Sequence, residues 1–267
     1  MTDHSRGKEA AAGRLISPFL EVFLECPLCG RSGAHQKIKS KVFADRKRDI
    51  DLRPMEFICA VKSIEPIHPP LYYMFFCRYC CFAAGSPVFA EPFTDSSLPL
   101  PRIREAINQT RNSLPWTGPA IQLLTAGQDA RRRDYLLAIK LTLLGILFLE
   151  IDTAVKEHSM MNLGRYYLRL AWLFRETKSE DSTAVVSQSK LDDFFARLHS
   201  HWPEAPADEE TALHIAASLL GRALDSTYSL ETPLDQVELV TLVARVYIKL
   251  NDFARARRYL SRKGYRA

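Results

Sequence analysis

The sequence predicts an α+β fold that is mostly α, with a small β-rich module first and an all-α domain of helical hairpins after it. Three observations carry this. All six cysteines lie before residue 82, among short apolar runs bounded by proline or charge. Six of the fifteen prolines crowd between Gly85 and Pro119, where they stop helices and central strands. From about Gln128 onward the pattern is helical, most plainly where the polar positions 235, 238, 241, 245 and 249 step by three or four.

In the first region, Gln36 to Phe43 alternates, with Lys37, Lys39 and Lys41 on one face and Ile38 and Val42 on the other. That is the period of a half-buried strand. Met55 to Val61 and Leu71 to Phe76 are short runs rich in aromatic and β-branched residues, also expected as strands. The proline-rich stretch reads as a linker or covering arm, with a short helix at Arg102 to Asn112.

Tyr135 to Ile151 is apolar on nearly every side, as a helix surrounded by others must be. Lys140 interrupts it, and its uncharged run is shorter than the roughly 18 residues a spanning helix needs, so no membrane insertion is expected. The following segment places Asn162, Arg165, Arg169 and Glu176 on a polar stripe. Leu163, Tyr166, Tyr167, Leu170, Leu173 and Phe174 form the buried face, and Trp172 reads as core with them. Thr177 to Ser187 is expected as a polar loop. Ser189 with Asp192 reads as a capping box, Asp208 as a second cap, and Thr232-Pro233-Leu234-Asp235 as a third start signal.

Chemistry concentrates in the cysteines. Cys26-Pro27-Leu28-Cys29-Gly30 has the outline of a zinc knuckle, and Cys77-Arg78-Tyr79-Cys80 supplies a second pair. Four thiolates at roughly 2.3 Å satisfy zinc tetrahedrally and leave no open position, so the site is read as structural Zn2+ bound by Cys26, Cys29, Cys77 and Cys80. Iron suits the same four sulfurs. Zinc ribbons usually separate the pairs by roughly 15–20 residues. Here 47 lie between Cys29 and Cys77, and the strand-like insert must fold back to join them. Cys59 is expected in the core. Cys81, His35 and His68 are the alternative ligands.

Composition narrows the function classes. The formal charge of +5 falls to +3 when four thiolates subtract four charges and the ion returns two, so overall charge does not point to nucleic acid. Arg31 to Arg53 nevertheless holds eight basic and three acidic residues, and Phe253 to Ala267 holds six basic and none acidic. These could meet phosphates or could be a solvated strand face and a basic helix end. There is no glycine-rich phosphate loop, no HExxH, no serine elbow and no recognisable pair of carboxylates, so no enzyme is expected. His199 and His201 lack an evident partner. The polar first twelve residues have no apolar segment after them, so a cytoplasmic location with reduced thiols is expected.

Several of these motifs resemble a bacterial family of unknown function, domain of unknown function 2225. They are Cys-Pro-x-Cys-Gly at 26–30, Asp49-Ile50-Asp51-Leu52, Pro70-Leu71-Tyr72-Tyr73 ahead of Cys77-x-x-Cys80, and Leu168-Arg169-Leu170-Ala171-Trp172-Leu173-Phe174-Arg175. The resemblance spans residues 20 to 180 and implies a zinc-ribbon-like start and a tetratricopeptide-like end, with no established activity. Cys81 stands where the family typically has glycine. Independently, Val243-Ala244-x-x-Tyr247 with Asn251-Asp252-Phe253 and Ala256 looks like one tetratricopeptide unit.

The expected organisation is a flexible segment at 1–18 and a zinc-ribbon-like module at 19–94. A proline-rich linker or arm at 95–127 and a helical tetratricopeptide-like domain at 128–267 follow. The expected role is a noncatalytic adaptor with structural zinc, whose helices bind a protein or peptide. Nucleic-acid binding through the basic face of the module is the alternative.

Overall fold

A computed structural model describes residues 15–61, 63–92, 99–127, 133–178, 186–225 and 233–261. The amino-terminal region is built from three antiparallel two-stranded units. β1 (Phe19–Glu25) pairs with β2 (Ser32–Ile38), Phe19 opposite Ile38 and Glu25 opposite Ser32. β3 (Phe43–Arg48) pairs with β4 (Pro54–Cys59). β5 (Met74–Phe76) pairs with β6 (Ala83–Gly85). The turns of the first and third hairpins each carry a Cys-x-x-Cys pair.

The expected strand at 36–43 is divided. It ends at Ile38, and Lys41 takes a φ of 64°, a left-handed conformation that no strand continues through. Val42 still turns inward and is buried. The run at 71–76 also begins later than its composition suggests, because Pro69 and Pro70 open a short 3-10 turn through Tyr72 before β5 starts. Cys59, expected in the core, is exposed instead, its thiol donating to the Val61 carbonyl at 3.0 Å. β3 and β4 form a two-stranded ribbon, and Met55, Ile58 and Cys59 of β4 are all exposed.

Helices follow from Ser86 onward: α1 (Ser86–Ala90), α2 (Leu100–Ser113), α3 (Thr117–Thr125), α4 (Tyr135–Glu150) and α5 (Thr153–His158). They continue with α6 (Met160–Thr177), α7 (Gln188–His199), α8 (Glu209–Asp225), α9 (Pro233–Lys249) and α10 (Phe253–Ser261). The helix expected at 102–112 is there as α2, and α3 joins it. Ile103, Ile107, Ala120 and Leu124 bury fully. Asp134 caps α4 by accepting from the Leu137 amide at 2.7 Å, and Asp208 accepts from the Thr211 amide at 2.8 Å. α7 starts before the expected cap at Ser189. Ser187 takes that position, and its carbonyl accepts from Lys190 and Leu191, so that Leu191, Phe194, Phe195 and Leu198 face inward. The expected cap at Thr232 and most of the loop at 177–187 lie outside the described residues, as do residues 1–14 of the expected flexible segment.

α4 is the central helix, buried from Tyr135 through Leu149 except at Leu136 and Lys140. Lys140 reaches out to the Ala126 carbonyl at 3.1 Å. No helix among the described residues is long and apolar enough to cross a membrane. β5 and β6 lie against α4, and Gly145 permits that approach: a Cβ there would sit 2.5 Å from Met74 Cε and 3.1 Å from the Ala83 carbonyl oxygen. α4 then packs on α6, α6 on α8, α8 on α9, and α9 on α10. One continuous buried cluster runs from Cys26 to Ala256, so the architecture is α+β with small sheets leading into a helical domain.

A polar joint ties the β3–β4 turn to the helices. Asp51 is completely buried and accepts from the Arg175 guanidinium at 2.7 Å and from the Trp172 indole at 3.2 Å. Arg175 also donates to Asp49 and Glu209, each at 2.7 Å, and Lys249 donates to Asp49 at 3.0 Å. Arg53 pairs with Glu176 beside them. Burial works against the Asp49 carboxylate, but the Lys249 ammonium, the Ile50 amide and the Arg175 charge outweigh it and hold its pKa below the ordinary range. One hairpin turn is thereby locked to α6, α8 and α9.

Candidate metal centre

Each cysteine pair sits in the same local fold. In the first, the Cys26 amide donates to the Arg31 carbonyl at 2.9 Å, and the Gly30 amide donates back to Cys26 at 2.9 Å. In the second, the Cys77 amide donates to Phe82 at 2.8 Å, and the Cys81 amide to Cys77 at 2.9 Å. Both turns put their fifth residue in the left-handed region, Gly30 at φ 72° and Cys81 at φ 64°. Cys81 therefore occupies the place glycine takes in the first turn, and its sulfur is not one of the four clustered ones.

The two hairpins bring all four expected residues together. The ligand atoms of Cys26, Cys29, Cys77 and Cys80 lie within 4.8 Å of one another. Cys26 Sγ is 3.6 Å from Cys80 Sγ, and Cys29 Sγ is 3.7 Å from Cys77 Sγ. A tetrahedron of sulfurs about 2.3 Å from a central ion has edges of about 3.8 Å. Two edges match that spacing, and the four sulfurs could hold a metal ion. Cys81, Cys59, His35 and His68 are not in the group. His35 stacks on Phe75 at 4.9 Å, and His68 packs against Phe57 and Tyr135. His199 bonds the Ala205 carbonyl at 2.8 Å, a local structural contact.

Crowded sulfurs divide unequally. The hydrogen bond with Cys80 draws the Cys26 thiol down to about 5, with burial opposing, and the same contact raises Cys80. Burial raises Cys77. A divalent ion at the centre removes this conflict, because coordination deprotonates a thiol outright.

Two arginines of α2 support the turns, and the sequence reading did not find them. Arg104 donates to the Pro27 carbonyl within the first turn. Arg111, seven residues on and so on the same helix face, donates to the Cys80 carbonyl at 2.8 Å. Arg111 also lies 6.0 Å above the Phe148 ring, which links the second turn to α4. Four thiolates around a divalent ion would carry a net charge of −2, and each of these cations bonds a carbonyl of one of the two turns that hold them. A pair of arginines seven apart ahead of a helix-capped core was the only available signal, and nothing in it pointed to backbone carbonyls so distant in sequence.

No curated protein and no solved structure matches the chain. The model of a family described as an uncharacterised protein conserved in bacteria, DUF2225, matches residues 20–263, which takes in both turns, the Asp49–Arg53 joint and α10. With nearly the whole length matched, from β1 to the carboxy-terminal helix, the chain belongs to this bacterial family.

Proposed function

We propose that this protein is a noncatalytic adaptor in which zinc is structural and the helical domain binds a protein or peptide partner. The observation that carries the reading is the closed tetrathiolate: four sulfurs within 4.8 Å supply every ligand zinc takes and leave no position for substrate. Its placement supports the same role, because the ion would pin two hairpins to each other and, through α2, to the helices. The carboxy-terminal hairpin supports the interaction half. Ala244 and Ala256 are buried where α9 and α10 close on each other, and Tyr247 stacks on Tyr259 at 5.6 Å. Val237, Phe253 and Leu260 remain exposed on the same pair of helices. A tetratricopeptide-like hairpin with apolar residues left uncovered is a reasonable docking element in the reducing cytoplasm.

Metal analysis of purified protein together with thiol titration tests the first half. One zinc per chain and four thiols protected until the ion is chelated is the expected result. Bound iron, or four thiols that react at once, would refute it. For the second half, affinity capture with wild-type and Phe253→Glu protein should differ in at least one partner. Retention of nucleic acid at low salt, lost steeply as salt rises, would instead favour the basic face of the module.

A further inference from the structure

Between the amino-terminal hairpins and α6 lies a cleft with an open volume, its solvent mouth included, of about 680 Å³. A second, much narrower recess adjoins it and shares Pro54, Pro70, Tyr73 and Arg169. The cleft itself offers about 270 Å³ of enclosed space, near the lower end for a small-molecule site, and the recess has room for little more than one water. The walls are flat and apolar, made by Phe57, Tyr72, Tyr73 and Phe75, and Lys37 stands exposed at the rim.

Arg169 is the unusual group. Its guanidinium carbon lies 3.4 Å from the centre of the Tyr73 ring and 5.7 Å from that of Trp172. The two rings flank the cation and Tyr73 also hydrogen-bonds it, but most of its five in-plane N–H donors have no protein acceptor among the described residues. Among the described residues Arg169 has no carboxylate partner. The other buried arginines contrast with it. Arg175 meets Asp49, Asp51 and Glu209, Arg53 meets Glu176, and Arg133 donates to the Leu71 and Met74 carbonyls. The one acid lining the recess, Glu176, is thus already engaged. Burial lowers the Arg169 pKa, with Tyr73 opposing, which is the expected response of a desolvated cation without a counter-ion.

We propose that this cleft is a binding site for a small oxyanion carried on a planar aromatic body. The oxyanion, a carboxylate or a phosphate, takes the in-plane donors of Arg169. The ring lies among Phe57, Tyr72 and Phe75, and Lys37 adds charge at the entrance. The site is separate from the four cysteines and does not depend on the adaptor reading.

Calorimetric titration of the intact, metal-loaded protein with four probes tests it: phenyl phosphate, benzoate, inorganic phosphate and benzyl alcohol. At least one of the two aromatic oxyanions should bind about tenfold more tightly than either inorganic phosphate or benzyl alcohol, and which one does identifies the headgroup. Arg169→Gln should weaken that probe about tenfold or more, since it removes a charged hydrogen-bonding partner. Lys37→Gln, at an exposed position that leaves the fold intact, should weaken it several-fold and reduce the salt dependence. If Arg169→Gln does not fold, the probe ranking on wild-type protein and the Lys37 variant decide the matter. No heat from either aromatic oxyanion at millimolar concentration, equal affinity for all four probes, or unchanged binding in Lys37→Gln and in a folded Arg169→Gln protein would each overturn the proposal.

Discussion

Cys80 and Cys81 are neighbours with opposite demands. Cys80 Sγ lies 3.6 Å from Cys26 Sγ within the four-sulfur group, whereas Cys81 contributes a backbone conformation, φ 64°, that a β-carbon resists. Cys81→Gly should therefore keep full metal content and change stability by no more than about 1 kcal/mol, toward greater stability if relief of the left-handed strain outweighs the added freedom of the unfolded chain. Cys80→Ser should lose the metal. Metal content and urea midpoints on the two variants check both statements. Arg111 makes a subtler demand at the same scale. Its bond to the Cys80 carbonyl fixes the second turn from outside, and loss of such outer support typically weakens metal binding by about 10- to 100-fold. Arg111→Ala should fall in that range in competition with a chromophoric chelator, while Arg102→Ala, on an exposed side chain of the same helix, should not.

Elements were legible in the sequence to the extent that their cause was local. α4 announces itself by being apolar all round, α8 by its Asp208 cap, and the four sulfurs by two repeats of one spacing. What stayed hidden depends on distant partners. The break after Ile38 follows from the left-handed turn at Lys41, and alternation of lysines cannot reveal it. Cys59 is exposed together with Met55 and Ile58 on β4, and whether a strand finds a covering layer is a fact about topology rather than composition. Arg104 and Arg111 were invisible because their acceptors are backbone carbonyls 77 and 31 residues away. The Asp49–Arg53 turn shows the same limit from the energetic side: its sequence looks like a charged loop, yet Asp51 is fully buried against Arg175. Removing one partner of a buried ion pair leaves an uncompensated charge. Arg175→Met should then cost about 3–5 kcal/mol in urea unfolding. Arg222→Met, which breaks an exposed pair with Glu157, should cost less than about 1 kcal/mol. Equal losses in the two variants would mean that the joint does not hold the hairpin as the geometry indicates.

At the scale of the whole molecule, three seams join the β region to the helices. α2 holds both cysteine turns through its arginines, β5 and β6 lie on α4 at Gly145, and the β3–β4 turn is locked to α6, α8 and α9. The buried apolar cluster crosses the first two, and the third is a polar joint outside it. A metal bound at the four sulfurs contributes its binding free energy to folding, because the site does not exist in the unfolded chain. With the seams intact, that contribution cannot stay confined to the hairpins. If the ion is removed, β1–β2 and β5–β6 lose their common anchor, the contact of β5 and β6 with α4 weakens, and the central helix loses part of its cover. Chelation should therefore lower the melting temperature of the helical signal as well as that of the hairpins. In the metal-loaded protein, ion release followed by a metal-sensitive dye and helix loss followed by circular dichroism should coincide in one transition. Helices that keep their full melting temperature after the ion has gone would show that the seams transmit little, and the ion would then stabilise only the turns that hold it.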